Sequence, residues 1–432
     1  VTSREDFWNV PFMNFLKPRY SFGVTDNAQS LDWDWEYLPQ SLQGVYFYPS
    51  GTGQNQMVTE PEALVNPNYA WEEVQQHNIG VDMGFFQNRL TFTAEWYEKK
   101  HTSEEGGFIM QGATSAALGN LAPTVNAGII RNRGVEFDVS YKDNFGDVFF
   151  SAQLTASHNK AEVLSMTEGI VIELGNLGTF GSSKRFEEGY EPWYFYGFES
   201  DGLLTTQEQV DAYNDLYNDG SSVARLGDVK YRDIAGPVDS LGNKTGPDGV
   251  IDDNDKTNLG SPYPKWMTGL NITVEYKGFD FNLYTYASIG NKTLNATSIR
   301  TDLPNTNKPS YYLSDAWLGA DQSGDFPRPT LADRNRNFSR VNEYLLQNGS
   351  FLRISNITLG YTLPKTITER AGINKLRVWG AIDNLYTFTK YKGMEAEVGG
   401  DYYGYRGQQW SGIDRGVYPR PRTFTVGLNV TF

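Results

Sequence analysis

Thr423-Phe424-Thr425-Val426-Gly427-Leu428-Asn429-Val430-Thr431-Phe432 closes the chain, and its reading decides the fold. Phe424, Val426, Leu428, Val430 and Phe432 share one parity; Thr423, Thr425, Gly427, Asn429 and Thr431 share the other. Side chains of a strand alternate between two faces, so one face here is wholly apolar and the other is polar or small. About ten residues is also the length a tilted strand needs to cross the hydrocarbon layer of a bilayer.

The same alternation recurs upstream in pairs. Ile79, Val81, Met83 and Phe85 lead through Gln87-Asn88 into Leu90, Phe92, Ala94 and Trp96. Val135, Phe137, Val139 and Tyr141 turn near Asn144 to Asp147 and return through Val148, Phe150, Ala152, Leu154 and Ala156. Leu270, Ile272, Val274 and Tyr276 turn at Lys277-Gly278 into Phe279, Phe281 and Leu283. Each is a hairpin with a short polar turn. Phe15 to Val24 reads as a first strand, and about a dozen strands are expected in all. In Phe351 to Leu363 the apolar phase slips, from Leu352 and Ile354 to Ile357, Leu359 and Tyr361; a β-bulge near Ser355-Asn356 is expected to absorb it. The other connections are long: 50–67, 102–130, 164–190, 200–264, 291–348 and 390–421. Short turns at one end and long loops at the other is the arrangement of outer-membrane barrels. Structureless loops of this length are uncommon in compact soluble domains.

Composition agrees. Aromatic residues at 14 % and 44 glycines suit many strands joined by many turns. With 37 Lys and Arg against 52 Asp and Glu the net charge is −15, which disfavours a nucleic-acid partner. Without Cys there is no disulfide and no thiolate metal site. His77, His101 and His158 are too far apart in sequence to read as a zinc pair. No run of about 18 apolar residues occurs, so no spanning helix is expected. The mean hydropathy of −0.51 fits a barrel, whose strands are half polar, and equally a soluble β protein. Val1 is not Met and no secretory signal follows it, so sequence upstream of this chain is expected.

Several blocks of the chain stand out. They are Phe15-Leu16-Lys17-Pro18-Arg19-Tyr20-Ser21-Phe22-Gly23-Val24-Thr25, Asn66-Pro67-Asn68-Tyr69-Ala70-Trp71-Glu72 with Asn78-Ile79-Gly80-Val81-Asp82, and Arg131-Asn132-Arg133-Gly134-Val135-Glu136. Gly260-Ser261-Pro262-Tyr263-Pro264-Lys265-Trp266, Asp383-Asn384-Leu385-Tyr386, Tyr418-Pro419-Arg420-Pro421-Arg422 and the terminal Phe432 complete the set. Together these blocks resemble the SusC/RagA-type TonB-dependent transporters of Bacteroidota, and the likeness runs from about residue 13 to the end. It implies an all-β, transmembrane antiparallel barrel with long extracellular loops, in which residues 1–432 supply the C-terminal part of a 22-stranded structure. Plug domain, TonB box and first strands are expected outside this chain. The chain alone is therefore expected not to close a barrel. Gln87-Asn88 and Lys277-Gly278 should lie at the periplasmic end, opposite residues 200–264, an extracellular loop with an acidic turn.

Two constellations carry candidate chemistry. Pro247-Asp248-Gly249-Val250-Ile251-Asp252-Asp253-Asn254-Asp255 resembles the second half of an EF-hand loop, with Asp233 as an earlier ligand. Ca2+ held by Asp233, Asp248, Asp252, Asp255 and the Val250 carbonyl is one reading; a solvated acidic turn is the other. The stretch from Ile234 to Gly246 is longer than the usual spacing, and the last ligand position holds Asp instead of Glu. The second constellation is Tyr402, Tyr405, Arg406 and Trp410, joined more weakly by Trp193. Aromatic faces and guanidinium donors suit sugar rings or peptides, and equally an interfacial aromatic girdle.

The sequence carries no nucleophile elbow, no HExxH and no phosphate-cradling Gly loop, so it is read as no enzyme. The resemblance implies uptake of an oligosaccharide or oligopeptide across the outer membrane, with a SusD-like surface lipoprotein and a periplasmic TonB partner. The alternative is a non-transporting outer-membrane binding or assembly component built on the same barrel.

Overall fold

A computed structural model describes residues 8, 10–27, 41–46, 56–61, 72–102, 108–111, 124–166, 171–175, 181–215, 224–237, 244–297, 314–319, 324–330, 332–399 and 410–432. Ten strands form one continuous antiparallel path in sequence order. They are β1 (Met13–Asn27), β2 (Glu72–Phe85), β3 (Leu90–Thr102), β4 (Thr124–Phe145), β5 (Val148–Met166), β6 (Trp266–Tyr276), β7 (Phe279–Ile289), β8 (Phe351–Thr362), β9 (Lys375–Thr389) and β10 (Thr423–Thr431). A short strand, Phe108–Gln111, adds beside the start of β4. Among the described residues the outer sides of β1 and β10 pair with nothing.

The alternation read in the sequence sets the two faces. Along β10, Val426 is 82 % exposed and Phe424, Leu428 and Phe432 are similarly bare. Register carries that parity across the sheet: Val426 faces Gly380, Leu428 faces Val378, and Val378 faces Tyr361. The outer face therefore reads Leu376, Val378, Ile382 on β9, Ile357, Leu359, Tyr361 on β8, and Phe279, Phe281, Leu283 on β7. Aromatics bound this band at both ends. Phe86, Phe145, Tyr276 and Phe279 stand beside the short turns, and Tyr20, Phe22, Trp96, Trp266, Tyr386 and Phe388 lie towards the long loops. An apolar band between two aromatic girdles is what a sheet facing a bilayer presents.

The turns obey local chemistry. Lys277 and Gly278 both have positive φ (46° and 88°), the primed two-residue turn that matches strand twist. A Cβ on Gly278 would stand 2.7 Å from the Thr362 carbonyl, so only glycine fits. The phase slip in β8 is a bulge as expected: pairing skips from Ile354 to Asn356 against both β7 and β9. Inside β10, Gly427 makes room for the Trp379 ring, whose Nε1 donates to Asn429 Oδ1 at 2.6 Å.

Because every pairing is antiparallel and sequential, residues 86–89, 146–147, 277–278 and 363–374 share one end of the sheet. The long connections share the other. There the described residues of these connections fold into a crown, and the buried apolar residues concentrate in it. One cluster joins Phe195, Leu294, Phe326, Phe338, Leu345 and Ile413; a second joins Phe198, Leu204, Val210, Tyr213, Val229 and Ile251. A four-stranded sheet (Ile172–Leu174, Lys184–Phe186, Tyr194–Phe198, Lys256–Gly260) and helix α1 (Gln207–Asn214) frame them. Helix α1 starts at a capping box between Thr206 and Gln209 and buries Val210 and Tyr213.

The outer band makes a directional test. Leu428→Arg, on the bare face near the middle of β10, is expected to cost about 2–4 kcal/mol of folding free energy in lipid. Thr425→Arg, on the opposite face, is expected to cost far less. Denaturant titration of the intact protein in vesicles measures both; equal costs would contradict the face assignment.

Candidate functional site

The inner face of the sheet is polar and cross-linked. Arg19 on β1 reaches Asp82 on β2 at 3.0 Å and Glu95 on β3 at 3.3 Å, and Thr93 donates to Asp82. Gln153 on β5 donates to Asp138 on β4 at 2.6 Å. Arg377 on β9 holds Asp280 on β7 across β8, and Asn356 donates to Asp383. Such pairs lie between strands one or two places apart on one face, where opposite charges attract and fix register. Between β3 and β7 this wall forms a cavity of about 490 Å³ lined by Glu95, Glu136, Asp138, Met267, Tyr284 and Tyr286.

Above the wall, the last long connection is clamped onto the mouth of the sheet. Arg353 sits at the crown end of β8, on the inner face, and is 3 % exposed. Its guanidinium bonds to Glu395 and reaches Glu397 at 2.8 Å, and Glu397 also meets Arg420 at 2.9 Å. Backbone N–H groups of Glu397 and Arg420 donate to the Glu395 carboxylate. Burial pushes the Glu395 carboxyl up, but those N–H bonds and Arg353 outweigh it and hold it below the usual carboxylate range. Tyr391 and Ala396 pack with Phe351 beneath. The sequence reading did not single out Arg353; its signal is that it is the single charged residue of β8.

Of the five residues expected to meet ligand, Tyr402, Tyr405 and Arg406 lie outside the described residues. Trp410 packs against the first crown cluster and carries the Arg415 guanidinium 4.4 Å from its ring centroid. Trp193 adopts positive φ (55°) and its ring lies 5.1 Å from that of Phe186. Neighbouring Tyr194 is only 1 % exposed and donates to Glu187, so it belongs to the crown core. The arrangement places Trp410 and Trp193 in the crown wall.

Lys184 joins two of these parts. It is fully buried, its Nζ donates to the Ser411 carbonyl next to Trp410, and it lies 5.0 Å from the Phe195 ring centroid. Burial alone pushes its amine down from 10.5 to about 7.

The acidic loop has a different geometry from a converging ligand set. Asp233 accepts from the N–H groups of Asp248 and Gly249, at 3.2 and 2.7 Å. Asp248 accepts from Val250 N at 3.0 Å, and Asp252 from Asn254 N at 2.7 Å. Asp255, fully buried, accepts from Ile234, Ala235 and Asp252. Asp233, Asp248, Asp252 and Asp255 thus share one loop, but each carboxylate is turned to backbone N–H groups. Among the described residues no three carboxylate or imidazole side chains are placed to hold a metal ion together. Each of these carboxylates keeps lone pairs beyond its N–H bonds, but among the described residues no three of them come together, which the spacing alone did not reveal.

No family model matches the chain. Whole-chain comparison does find relatives. The chain is 26 % identical over 441 residues to the TonB-dependent receptor P3 of Formosa agariphila, covering 98 % of this chain and 41 % of that protein. It is 26 % identical over 454 residues to the TonB-dependent receptor SusC of Bacteroides thetaiotaomicron, covering 98 % and 39 %. Among solved structures, the RagAB peptide transporter superposes with a TM-score of 0.70 at 22 % identity, over 100 % of this chain and 42 % of that one. The RagAB peptide importer in its closed-closed state gives 0.69 at 22 %. The chain thus spans about two fifths of the length of the relatives it matches. The fold is that of an outer-membrane β-barrel. Over its whole length the chain is similar to the SusC/RagA type of TonB-dependent transporters.

Two outcomes test the crown. Arg353→Ala leaves Glu395 buried without its cation, at an expected cost of about 3–5 kcal/mol, and should open the 390–422 connection to protease. The apolar pair Arg353→Met with Glu395→Leu should recover most of that loss. Since the folded Glu395 carboxyl is held below its ordinary value, the stability it adds is complete above that ordinary value. It is lost as pH falls through the lower folded value.

Lys184 has the opposite signature. Between about 7 and 10.5 the unfolded chain binds a proton at this amine that the folded one does not, so crown stability rises with pH across that window. Lys184→Met is expected to flatten the slope in a pH series of thermal melts; an unchanged slope would show the amine to be hydrated.

Proposed function

We propose that this chain forms the later barrel strands and extracellular crown of an outer-membrane importer for oligosaccharides or oligopeptides. In this reading a SusD-like lipoprotein sits over the crown, and a TonB partner drives transport through a plug and TonB box carried by sequence outside this chain. The observation that carries the reading is the pairing of a whole-chain match to TonB-dependent receptors with a polar, ion-paired inner wall beneath a folded crown. A purely structural barrel has no need of a cavity on its inner wall lined by carboxylates and tyrosines. The free outer sides of β1 and β10 support the remainder. Unpaired N–H and C=O groups in hydrocarbon cost several kcal/mol each, so further strands must complete the barrel. The aromatic residues Tyr402, Tyr405 and Trp410, with Arg406 and Trp193, are the residues offered to the ligand.

The test is uptake by cells. A strain lacking the intact protein should lose accumulation of labelled oligosaccharide or oligopeptide, and the intact protein should restore it only while TonB is present. Ligand capture at the surface without accumulation, or accumulation independent of TonB, would favour the non-transporting component instead.

A further inference from the structure

Asp333-Arg334-Asn335-Arg336-Asn337 lies in the crown, far in sequence from the acidic loop, and spaces three oxygen-bearing side chains two residues apart. That is the first-third-fifth spacing with which calcium loops begin. We propose that this loop holds a divalent cation, calcium in preference to magnesium, through the Asp333 carboxylate and Asn335 Oδ1, with Asn337 as the residue that positions Asn335.

Three observations carry it. First, the Asn335 amide has only one workable orientation. Its Nδ2 donates to the Val229 carbonyl at 2.8 Å and to Asn337 Oδ1 at 2.7 Å, so a flipped amide would press oxygen against two acceptors. Asn337 Oδ1 is fixed in turn by the Val229 N–H at 3.0 Å. Asn335 Oδ1 is thereby aimed away from both. The residue is 2 % exposed, and this oxygen meets no donor among the described residues. A buried carbonyl oxygen left without a partner costs about 1–3 kcal/mol, and an ion or an ordered water is the usual remedy.

Second, Asp333 folds the loop as a first ligand does. Its two oxygens accept from Asn337 N at 2.7 Å and Phe338 N at 3.0 Å, and the Ser339 side chain bonds to the same carboxylate, which still leaves a lone pair for a cation. Third, Asp333 itself lacks a cationic partner. Asp228 has Arg328 at 2.7 Å, whereas Asp333 has no ion pair among the described residues and feels the Asp228 charge. The loop departs from the calcium-loop pattern in one respect. Phe338 stands where glycine is usual, and Arg336 takes the left-handed conformation (φ 57°) two residues earlier. An all-oxygen set containing neutral amide oxygens suits calcium, which tolerates irregular shells, better than magnesium.

The test is calcium binding to the chelator-treated intact protein in detergent, by titration calorimetry and thermal melting. The wild type should bind calcium and melt at a higher temperature in its presence. Asp333→Asn should weaken binding roughly tenfold or more. Asn335→Asp should tighten it, because ligand charge raises affinity, while destabilising the calcium-free protein by removing the Nδ2 bonds. Asp252→Asn, in the acidic loop, should leave binding unchanged. Absence of calcium binding would overturn the proposal in favour of a buried water. Binding abolished by Asp252→Asn and indifferent to Asp333→Asn would overturn it in favour of the acidic loop.

Discussion

Hydrocarbon offers no partner to a peptide N–H or C=O, and the rest of this structure follows from that constraint. Each strand of the band must hand every backbone group to a neighbouring strand. The result is one unbroken antiparallel ladder from β1 to β10. Once the ladder is fixed, period two assigns every side chain to lipid or to the inner wall. Leu428 has no route inward and Asn429 none outward. Charges then gather on the inner wall, where Arg19 with Asp82 and Arg377 with Asp280 bind strand to strand.

The same constraint separates the two ends. Where strands emerge beside Lys277-Gly278, two residues suffice to reverse the chain, and the longest connection at that end, 363–374, holds only short helical turns. At the other end the connections are long enough to build a core of their own. A sheet whose outer face meets lipid cannot bury its apolar side chains against itself. The compact apolar clusters around Phe195 and Phe198 therefore lie in the crown. Arg353 is the hinge between the two regimes, a strand residue whose charge is answered by Glu395 and Glu397 from a loop.

Much of the barrel was legible because alternation is a local property. The three hairpins around Gln87-Asn88, Gly146 and Lys277-Gly278 stand where the sequence put them. So does the bulge at Ser355, announced by the slip between Ile354 and Ile357. The crown was far less legible. Its described strands are two to six residues long, and they pair across distances such as Lys184 to Phe195 and Phe195 to Gly260 that no periodicity marks. The acidic loop shows why site reading is harder still. Counting carboxylates from Asp233 to Asp255 suggests convergence, but among the described residues no three carboxylates come together there, and each also accepts from backbone N–H groups. At Asn335 the informative fact is a missing partner, which no sequence states.

The account stands on the two faces of the strands, and the chain's lack of cysteine makes that directly measurable. Single cysteines placed in turn from Thr423 to Thr431 in the intact protein, reconstituted in vesicles, can be challenged with a water-soluble and a lipid-phase thiol reagent. Positions 424, 426, 428 and 430 should react from the lipid and resist the aqueous reagent, with 425, 427 and 429 showing the reverse. Uniform reactivity towards the aqueous reagent, without a two-residue period, would contradict the account.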